Sequence, residues 1–209
     1  MMPLRFMSKL DTHQIKFQDR TITVKVVDHA DMVSPYLTEL KSLIGASTAV
    51  GLEVGYFPDK ADLFKLFVIP KEAVLMLKLS VGTCCLLIQL SRLDSVPECL
   101  KEFLADPEIC FVGVGMRSDL AKLKTHGRID QTNGINVSDL AVKVLKKSCL
   151  DGCALEDVAD IVGVALPEDP GPAYDVDLEA KFYTSDEIKR LIYEVDAAHL
   201  IGTKLLGML

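Results

Sequence analysis

The segment "CFVGVGMRSDLAKL", residues 110–123, joins an apolar stretch to a polar one through two glycines. Its first half carries no charged side chain, which is typical of a strand buried on both faces and so of an internal, parallel strand. Ser118 is a predicted N-cap for a helix over 118–127, and Gly127 is its predicted end. The segment therefore predicts a parallel strand followed by a helix, the repeating unit of an α/β fold.

The neighbouring sequence extends this pattern in both directions. Strands are predicted at 20–27, 48–54, 72–80, 83–90 and 110–115, and the third and fourth are joined by a tight turn. Helices are predicted at 31–45, 95–107 (with Ser95 as N-cap), 118–127, 154–163 and 184–206 (with Thr184 or Ser185 as N-cap), and a short strand and a helix within 134–147. This order predicts an α/β sandwich with a mixed central sheet. We expect residues 1–19 to be an N-terminal extension and 20–209 to be the domain.

Composition limits the classes of protein to consider. The 209 residues are 49% hydrophobic and 25% charged, which suits one large domain. No apolar run approaches the roughly 20 residues that a membrane span needs. The six cysteines include no CxxC pair, so reduced thiols in the cytoplasm or nucleus are expected.

Charge is unevenly distributed along the chain. The net charge of −7 argues against a protein that coats nucleic acid by bulk electrostatics. Residues 117–147, however, hold seven Lys and Arg against three acids, whereas residues 148–199 hold thirteen acids against three bases. This contrast permits a basic face beside an acidic one, or simply two solvated helix faces of opposite sign.

An acid interrupts the second predicted strand. In "VGLEVGYFP", residues 50–58, Glu53 lies among apolar residues, Gly55 follows it two residues later, and Pro58 ends the run. A carboxylate at the end of a core strand costs several kcal/mol unless it is paired, protonated or bound to a cation. Glu53 therefore needs a basic partner, a proton or a cation, and the strand pattern does not decide which.

Three stretches together resemble one family, the DEDD 3′–5′ exonucleases of the Werner-type and RNase D branch. "AVGLEVGYFP" stands where that family has an Asp-x-Glu motif at a strand end. "FVGVGMRSDLAKL" is similar to the second motif, with Asp119 four residues after Gly115, and "IKRLIYEVDAAHL" resembles the third, a Tyr-x-x-x-Asp motif ending at Asp196. The match runs from about residue 20 to the C-terminus.

The resemblance implies a ribonuclease H-like, DnaQ-like three-layer α/β sandwich and hydrolysis assisted by two Mg²⁺ or Mn²⁺ ions. Such chemistry needs several carboxylates converging on the metals. Glu53, Asp119 and Asp196 are then the implied metal ligands and catalytic acids, with Tyr193 as a catalytic candidate. Lys122 and Lys124, on the helix of the second motif, are candidate contacts to the nucleic-acid backbone.

The catalytic positions depart from the family pattern. Glu53 stands in the place of the family's Asp, and Gly55 in the place of its Glu. Ile192 lies four residues before Asp196, where the family has Tyr, and Tyr193 is about 100° around the helix from the expected direction. Because a misplacement of about 1 Å can cost on the order of 10²-fold in rate, we expect an isolated subunit to be a poor nuclease.

Three functions remain open from the sequence. The chain is a 3′–5′ exonuclease-like enzyme acting on single-stranded RNA or DNA 3′ ends, with a site completed by a neighbouring subunit whose acidic loop supplies Asp175, Asp177 or Glu179. Alternatively, it is an inactive pseudo-exonuclease that binds nucleic-acid ends or a protein partner, or an oligomeric scaffold. A homo-oligomer is predicted because the mean hydropathy is +0.27 and the apolar end "LIGTKLLGML" needs covering.

Overall fold

A computed structural model describes residues 12–17, 19–57, 74–125, 129 and 133–209. The strands are β1 (Thr12–Phe17), β2 (Arg20–Val27), β3 (Val50–Phe57), β4 (Val74–Val81), β5 (Cys84–Gln89), β6 (Phe111–Gly113) and β7 (Gly134–Asn136). The α-helices are α1 (Ala30–Ser42), α2 (Glu98–Ala105), α3 (Met116–Thr125), α4 (Val137–Leu145), α5 (Leu155–Val162) and α6 (Ser185–Leu206). Short 3₁₀ turns cover Leu90–Arg92 and Ser148–Leu150.

The strands form one mixed sheet in the order β1-β2-β5-β4-β3-β6-β7. Strands β1 and β2 are antiparallel, as are β3, β4 and β5 in succession, whereas β2 with β5, β3 with β6, and β6 with β7 pair in parallel. The prediction that the apolar strand at 110–115 is internal and parallel is confirmed, since β6 has a parallel neighbour on each side. The predicted α/β class with a mixed central sheet is also confirmed.

Helices cover both faces of the sheet because both faces are apolar. One face packs against α1, α2 and α3, and its core includes Leu52, Leu79 and Phe103. The other face is crossed by the long helix α6, whose N-terminal half packs on the strands while its C-terminal half packs on α4 and α5. This three-layer arrangement brings α6 across β3 and β4, where Glu53 lies.

Helix starts depart from the predictions in two places, at α2 and α3, and agree with them at α6. Helix α2 begins at Glu98 with Pro97 in the N-cap position and no capping side chain, so the prediction that Ser95 is the cap is wrong. Helix α3 begins at Met116, which places Ser118 in the first turn. Thr184 forms a capping box with Glu187, as the Thr-x-x-Glu spacing favours. Gly127, Pro58 and the first two residues of the strand predicted at 72–80 lie outside the described residues.

The sheet begins before residue 20. Strand β1 lies within the segment predicted to be an extension, and it pairs with β2 over its whole length, from Thr12 opposite Lys25 to Phe17 opposite Arg20. Its alternating burial, with Ile15 and Phe17 inside, shows that it contributes to the core. No helix in the described part of the chain is long and apolar enough to span a membrane.

Candidate functional site

Asp119 is fixed at an open edge of strand β3. Strand β6 pairs with β3 only as far as Gly51 and Val112, so no strand among the described residues pairs with the second half of β3 on that edge. The buried Asp119 carboxylate accepts a hydrogen bond there from the Val54 amide, with Oδ2 2.9 Å from the nitrogen. Its other oxygen lies 2.9 Å from Lys122 Nζ. Asp119 thus completes a strand edge and an ion pair at the same time.

The two glycines of the second motif allow this approach. A Cβ at Gly113 would stand 2.2 Å from the Leu52 carbonyl oxygen of β3, so only glycine fits between the strands. Gly115 has a φ of +69°, a left-handed conformation that glycine adopts without strain. Its carbonyl then accepts the amides of Ser118 and Asp119, which starts α3 in the direction that points Asp119 at β3.

Glu53 is paired with a buried lysine. Glu53 on β3 and Lys78 on β4 are opposite each other in the antiparallel register, and Glu53 Oε1 lies 2.5 Å from Lys78 Nζ. The Lys78 side chain is only 3% exposed, against 19% for Glu53. Within the described residues, the second oxygen, Oε2, is buried and has no hydrogen-bond partner. The carboxylate that seemed out of place in the sequence is therefore neutralised by the neighbouring strand.

Gly55 leaves room for two side chains. A Cβ at this position would stand 3.0 Å from Leu178 Cδ1 and 3.4 Å from Lys78 Cε. Leu178 is fixed from behind, because its carbonyl accepts hydrogen bonds from Gln89 Nε2 at 2.8 Å and from Tyr183 Oη at 2.9 Å. Gln89 and Tyr183 are themselves buried. Leu178 and the stem of Lys78 therefore lie in contact distance of the position that a side chain at residue 55 would take.

Asp196 takes part in a separate ion pair. It is buried on α6, and Arg20 Nη1 and Nη2 lie 2.8 and 3.3 Å from its two oxygens. The Ser80 hydroxyl donates a third hydrogen bond at 3.1 Å. Ser80 lies opposite Gly51, two residues along the strands from the Glu53–Lys78 pair. Asp196 therefore contacts Ser80 of β4 and Arg20 of β2 and does not contact the Glu53–Lys78 pair.

A cavity of about 470 Å³ opens beside Glu53. Its walls come from β3, β4, α3, α5, α6 and the segment 169–178. They include three of the predicted site residues, Glu53, Tyr193 and Lys122, together with Lys78, Arg190 and Glu194. Asp196 does not line it, and Lys124 lies exposed further along α3. The structure thus brings Glu53, Tyr193 and Lys122 together around one cavity.

Glu194 is a cavity residue that the sequence comparison did not single out. Desolvation raises the pKa of its carboxyl, and the negative charges of Glu53, Glu156 and Asp119 raise it further, while Lys78 opposes them. Burial, with the nearby acids Glu156 and Asp169, likewise raises the pKa of the Tyr193 hydroxyl. The third-motif helix therefore presents Glu194, not Asp196, towards Glu53.

The acids do not form a metal centre. Within the described residues, no group of three or more His, Cys, Asp or Glu side chains is arranged to hold a metal ion. Each of the three predicted ligands is turned to a basic side chain of its own, Glu53 to Lys78, Asp119 to Lys122 and Asp196 to Arg20, and their role as metal ligands stays a prediction. Of the acidic loop, Asp175 pairs with Arg190 and Asp177 accepts the Glu179 amide.

Lys78, Leu178 and Arg20 were missed as site residues. The sequence contained a signal for Lys78, because it is the single charged residue in the apolar run "AVLMLKLS". Like Glu53, a charged side chain in a buried strand needs a partner. Leu178 and Arg20 had none, because Leu178 meets Gly55 and Arg20 meets Asp196 across more than 120 positions of the chain.

The fold has known structural counterparts. No protein-family model matches the sequence, and no curated protein sequence matches it. A crystal structure of the EXD2 exonuclease domain superposes with a TM-score of 0.51 at 18% identity, covering 85% of this chain and 86% of that one. A second crystal structure of this domain, soaked in Mn, gives a TM-score of 0.50 at 19% identity, covering 88% and 89%.

This likeness establishes the fold. The chain has the α/β architecture of an exonuclease domain, the ribonuclease H-like class that the three motifs predicted. The overlap covers most of both chains, so the fold is shared as a whole domain rather than as a single βαβ unit.

Proposed function

We propose that this protein is an exonuclease-fold module that binds single-stranded nucleic-acid ends without hydrolysing them. The observation that carries the proposal is the pairing of all three family-position acids with basic side chains: Glu53 with Lys78, Asp119 with Lys122, and Asp196 with Arg20. A carboxylate already neutralised at 2.5 to 2.9 Å has little remaining attraction for a divalent cation.

The EXD2 exonuclease domain was soaked in Mn in one of its crystal structures. The residues of this chain do not fit the same group, since its acids hold lysine and arginine and Leu178 fills the space beside Gly55. Hydrolysis by two metals needs carboxylates free to bind both ions. If the metals do not bind, the cavity of the exonuclease fold is still present and is available to bind a strand end.

Binding is assigned to the cavity beside Glu53. The cavity volume of about 470 Å³ falls within the usual range of small-molecule pockets, and it suits a ligand the size of a terminal nucleotide. Lys122 and Arg190 line the cavity and are partly exposed, so a phosphate would compete with their carboxylate partners, Asp119 and Asp175. The exposed ring of Tyr174 at the same cavity offers a stacking surface for a base. Lys124 is exposed on α3 two residues beyond Lys122, about 200° around the helix, so it would contact a strand only where the strand extends past the cavity.

The test is a binding titration by fluorescence anisotropy with 5′-labelled single-stranded 12-mers of RNA and of DNA, in EDTA and in Mn²⁺. We expect salt-sensitive binding that does not depend on the metal, and oligonucleotides that stay full length. Lys122→Gln should weaken binding to all sequences and lower the slope of log K against log salt by about 1.

A matched control removes one lysine elsewhere. Lys101→Gln, on α2, deletes an exposed charge that pairs only with the exposed Glu98 among its described contacts, so it should leave binding unchanged. Equal losses in Lys101→Gln and Lys122→Gln would mean that bulk charge, not this cavity, attracts the strand. Shortened products formed only with Mn²⁺ would instead favour the exonuclease reading.

A further inference from the structure

We propose that the Lys78 ammonium occupies the place of a divalent cation beside Glu53 in this fold, and so keeps Glu53, Glu194 and Asp119 from binding a metal. The inference concerns the same site as the proposed function, and it rests on the fold and on the ion pair rather than on nucleic-acid binding.

The geometry around Lys78 supports this role. Lys78 is nearly fully buried, which is rare for a lysine without a strong partner. Its stem lies over Gly55, at 3.4 Å from the point where a Cβ would stand, and its ammonium reaches Glu53 Oε1. The lysine therefore enters from β4 directly into the space between the two family acid positions on β3.

The surrounding acids are those that a cation would need. Glu53 and Glu194 line the same cavity, and the buried Glu53 Oε2 has no hydrogen-bond partner among the described residues. Asp119 lies at the same strand edge, and its partner Lys122 is 29% exposed and so is able to move into solvent. Oxygen ligands of this kind suit Mg²⁺ and Mn²⁺ once the competing positive charge is gone.

The replacement also explains why Gly55 is a glycine. A Cβ at this position would stand 3.0 Å from Leu178 Cδ1 and 3.4 Å from Lys78 Cε, so a larger side chain would require both to shift. One metal position is therefore filled by the Lys78 ammonium, and Gly55 supplies no carboxylate to complete a pair of metals. Removing the lysine should produce a site for one cation, not two.

The experiment measures Mn²⁺ binding alone, by electron paramagnetic resonance of the free ion, in the full chain. Lys78→Met keeps the length and the apolar stem but removes the charge. We expect this variant to bind one Mn²⁺ at least tenfold more tightly than the wild type, and we expect Lys78→Met combined with Glu53→Gln to lose that gain. Lys101→Met is the matched control and should behave as the wild type.

Three results would overturn the proposal: equal Mn²⁺ affinity in the wild type and in Lys78→Met, a folded Lys78→Met that binds no Mn²⁺, or a gain that survives Glu53→Gln. If Lys78→Met does not fold, the wild type still provides a test, since Mn²⁺ binding by the wild type that is lost in Glu53→Gln would show that Lys78 does not exclude the metal. Because no nucleic acid is present, these results are independent of whether the proposed binding of strand ends is correct.

Discussion

Glu53 and Lys78 lie opposite each other on adjacent antiparallel strands, with Oε1 and Nζ 2.5 Å apart beneath helix α6. The pair places a positive charge at the strand position where exonucleases of this fold are expected to hold a metal. It explains both an acid inside an apolar strand and a lysine inside the next one.

The first prediction concerns the stability of this pair. Glu53→Gln leaves the nearly buried Lys78 charge without its partner and should cost about 3–5 kcal/mol of unfolding free energy. Lys78→Met should cost less, because Glu53 is 19% exposed and solvent can partly compensate its charge. The double variant should recover most of the loss. Urea unfolding of the four proteins gives the coupling energy, and additive losses would contradict the pairing.

The second prediction compares two glycines on one strand. Gly55→Ala brings a Cβ within 3.0 Å of Leu178 and should cost about 1–3 kcal/mol of unfolding free energy as an overpacked site. Gly51→Ala should cost more, because its Cβ would stand 2.1 Å from the Val195 carbonyl oxygen and α6 would have to move. Thermal or urea unfolding ranks the two variants.

A control for the second prediction uses Leu178→Ala. In that background the added methyl group at residue 55 has space, so Gly55→Ala should be tolerated better than in the wild type. An identical cost in both backgrounds would show that Leu178 is not what Gly55 accommodates.

The third prediction is a pH dependence of stability from His199. Its Nδ1 lies 2.8 Å from the Ala49 carbonyl oxygen, and its Nε2 accepts the Gly82 amide at 2.8 Å, so both nitrogens are used by the neutral ring. Burial lowers the pKa of His199 below its ordinary value, although Asp196 opposes the shift. The unfolded chain therefore binds this proton more readily than the folded one. Stability due to neutral His199 is present above about pH 6.5 and falls as the pH drops below it.

Urea unfolding at pH 8 and pH 5.5 measures this effect. The loss on acidification should be smaller in His199→Gln than in the wild type. If the pH dependence of the unfolding free energy is the same in His199→Gln and in the wild type, protonation of His199 does not cause it.

The fourth prediction concerns assembly. The monomer already buries part of the apolar C-terminal helix, since Ile201 and Leu205 lie in the core against α4 and α5, while Met208 and Leu209 remain exposed. The exposed apolar surface at this end is therefore smaller than the sequence indicated. The homo-oligomer stays a prediction. Light scattering at micromolar concentration tests it, and a Leu209→Ser variant that shifts the mass to that of a monomer would locate the interface at this end.

The sequence was sufficient for the fold but not for the state of the site. Periodicity and the glycines of residues 110–123 predicted the parallel strand and the helix that carries Asp119, because these features depend on local geometry. The partners of the acids could not be read in the same way. Arg20 and Asp196 are 176 residues apart, and only the packing of α6 across the sheet brings them together.

The measurement that tests the central claim most directly is digestion of a 5′-labelled single-stranded RNA and DNA oligonucleotide in Mn²⁺, with the wild type and Asp119→Ala side by side. The account predicts intact oligonucleotide with both proteins, under conditions where the wild type binds the strand. A ladder of products shortened from the 3′ end by the wild type, and abolished in Asp119→Ala, would contradict it.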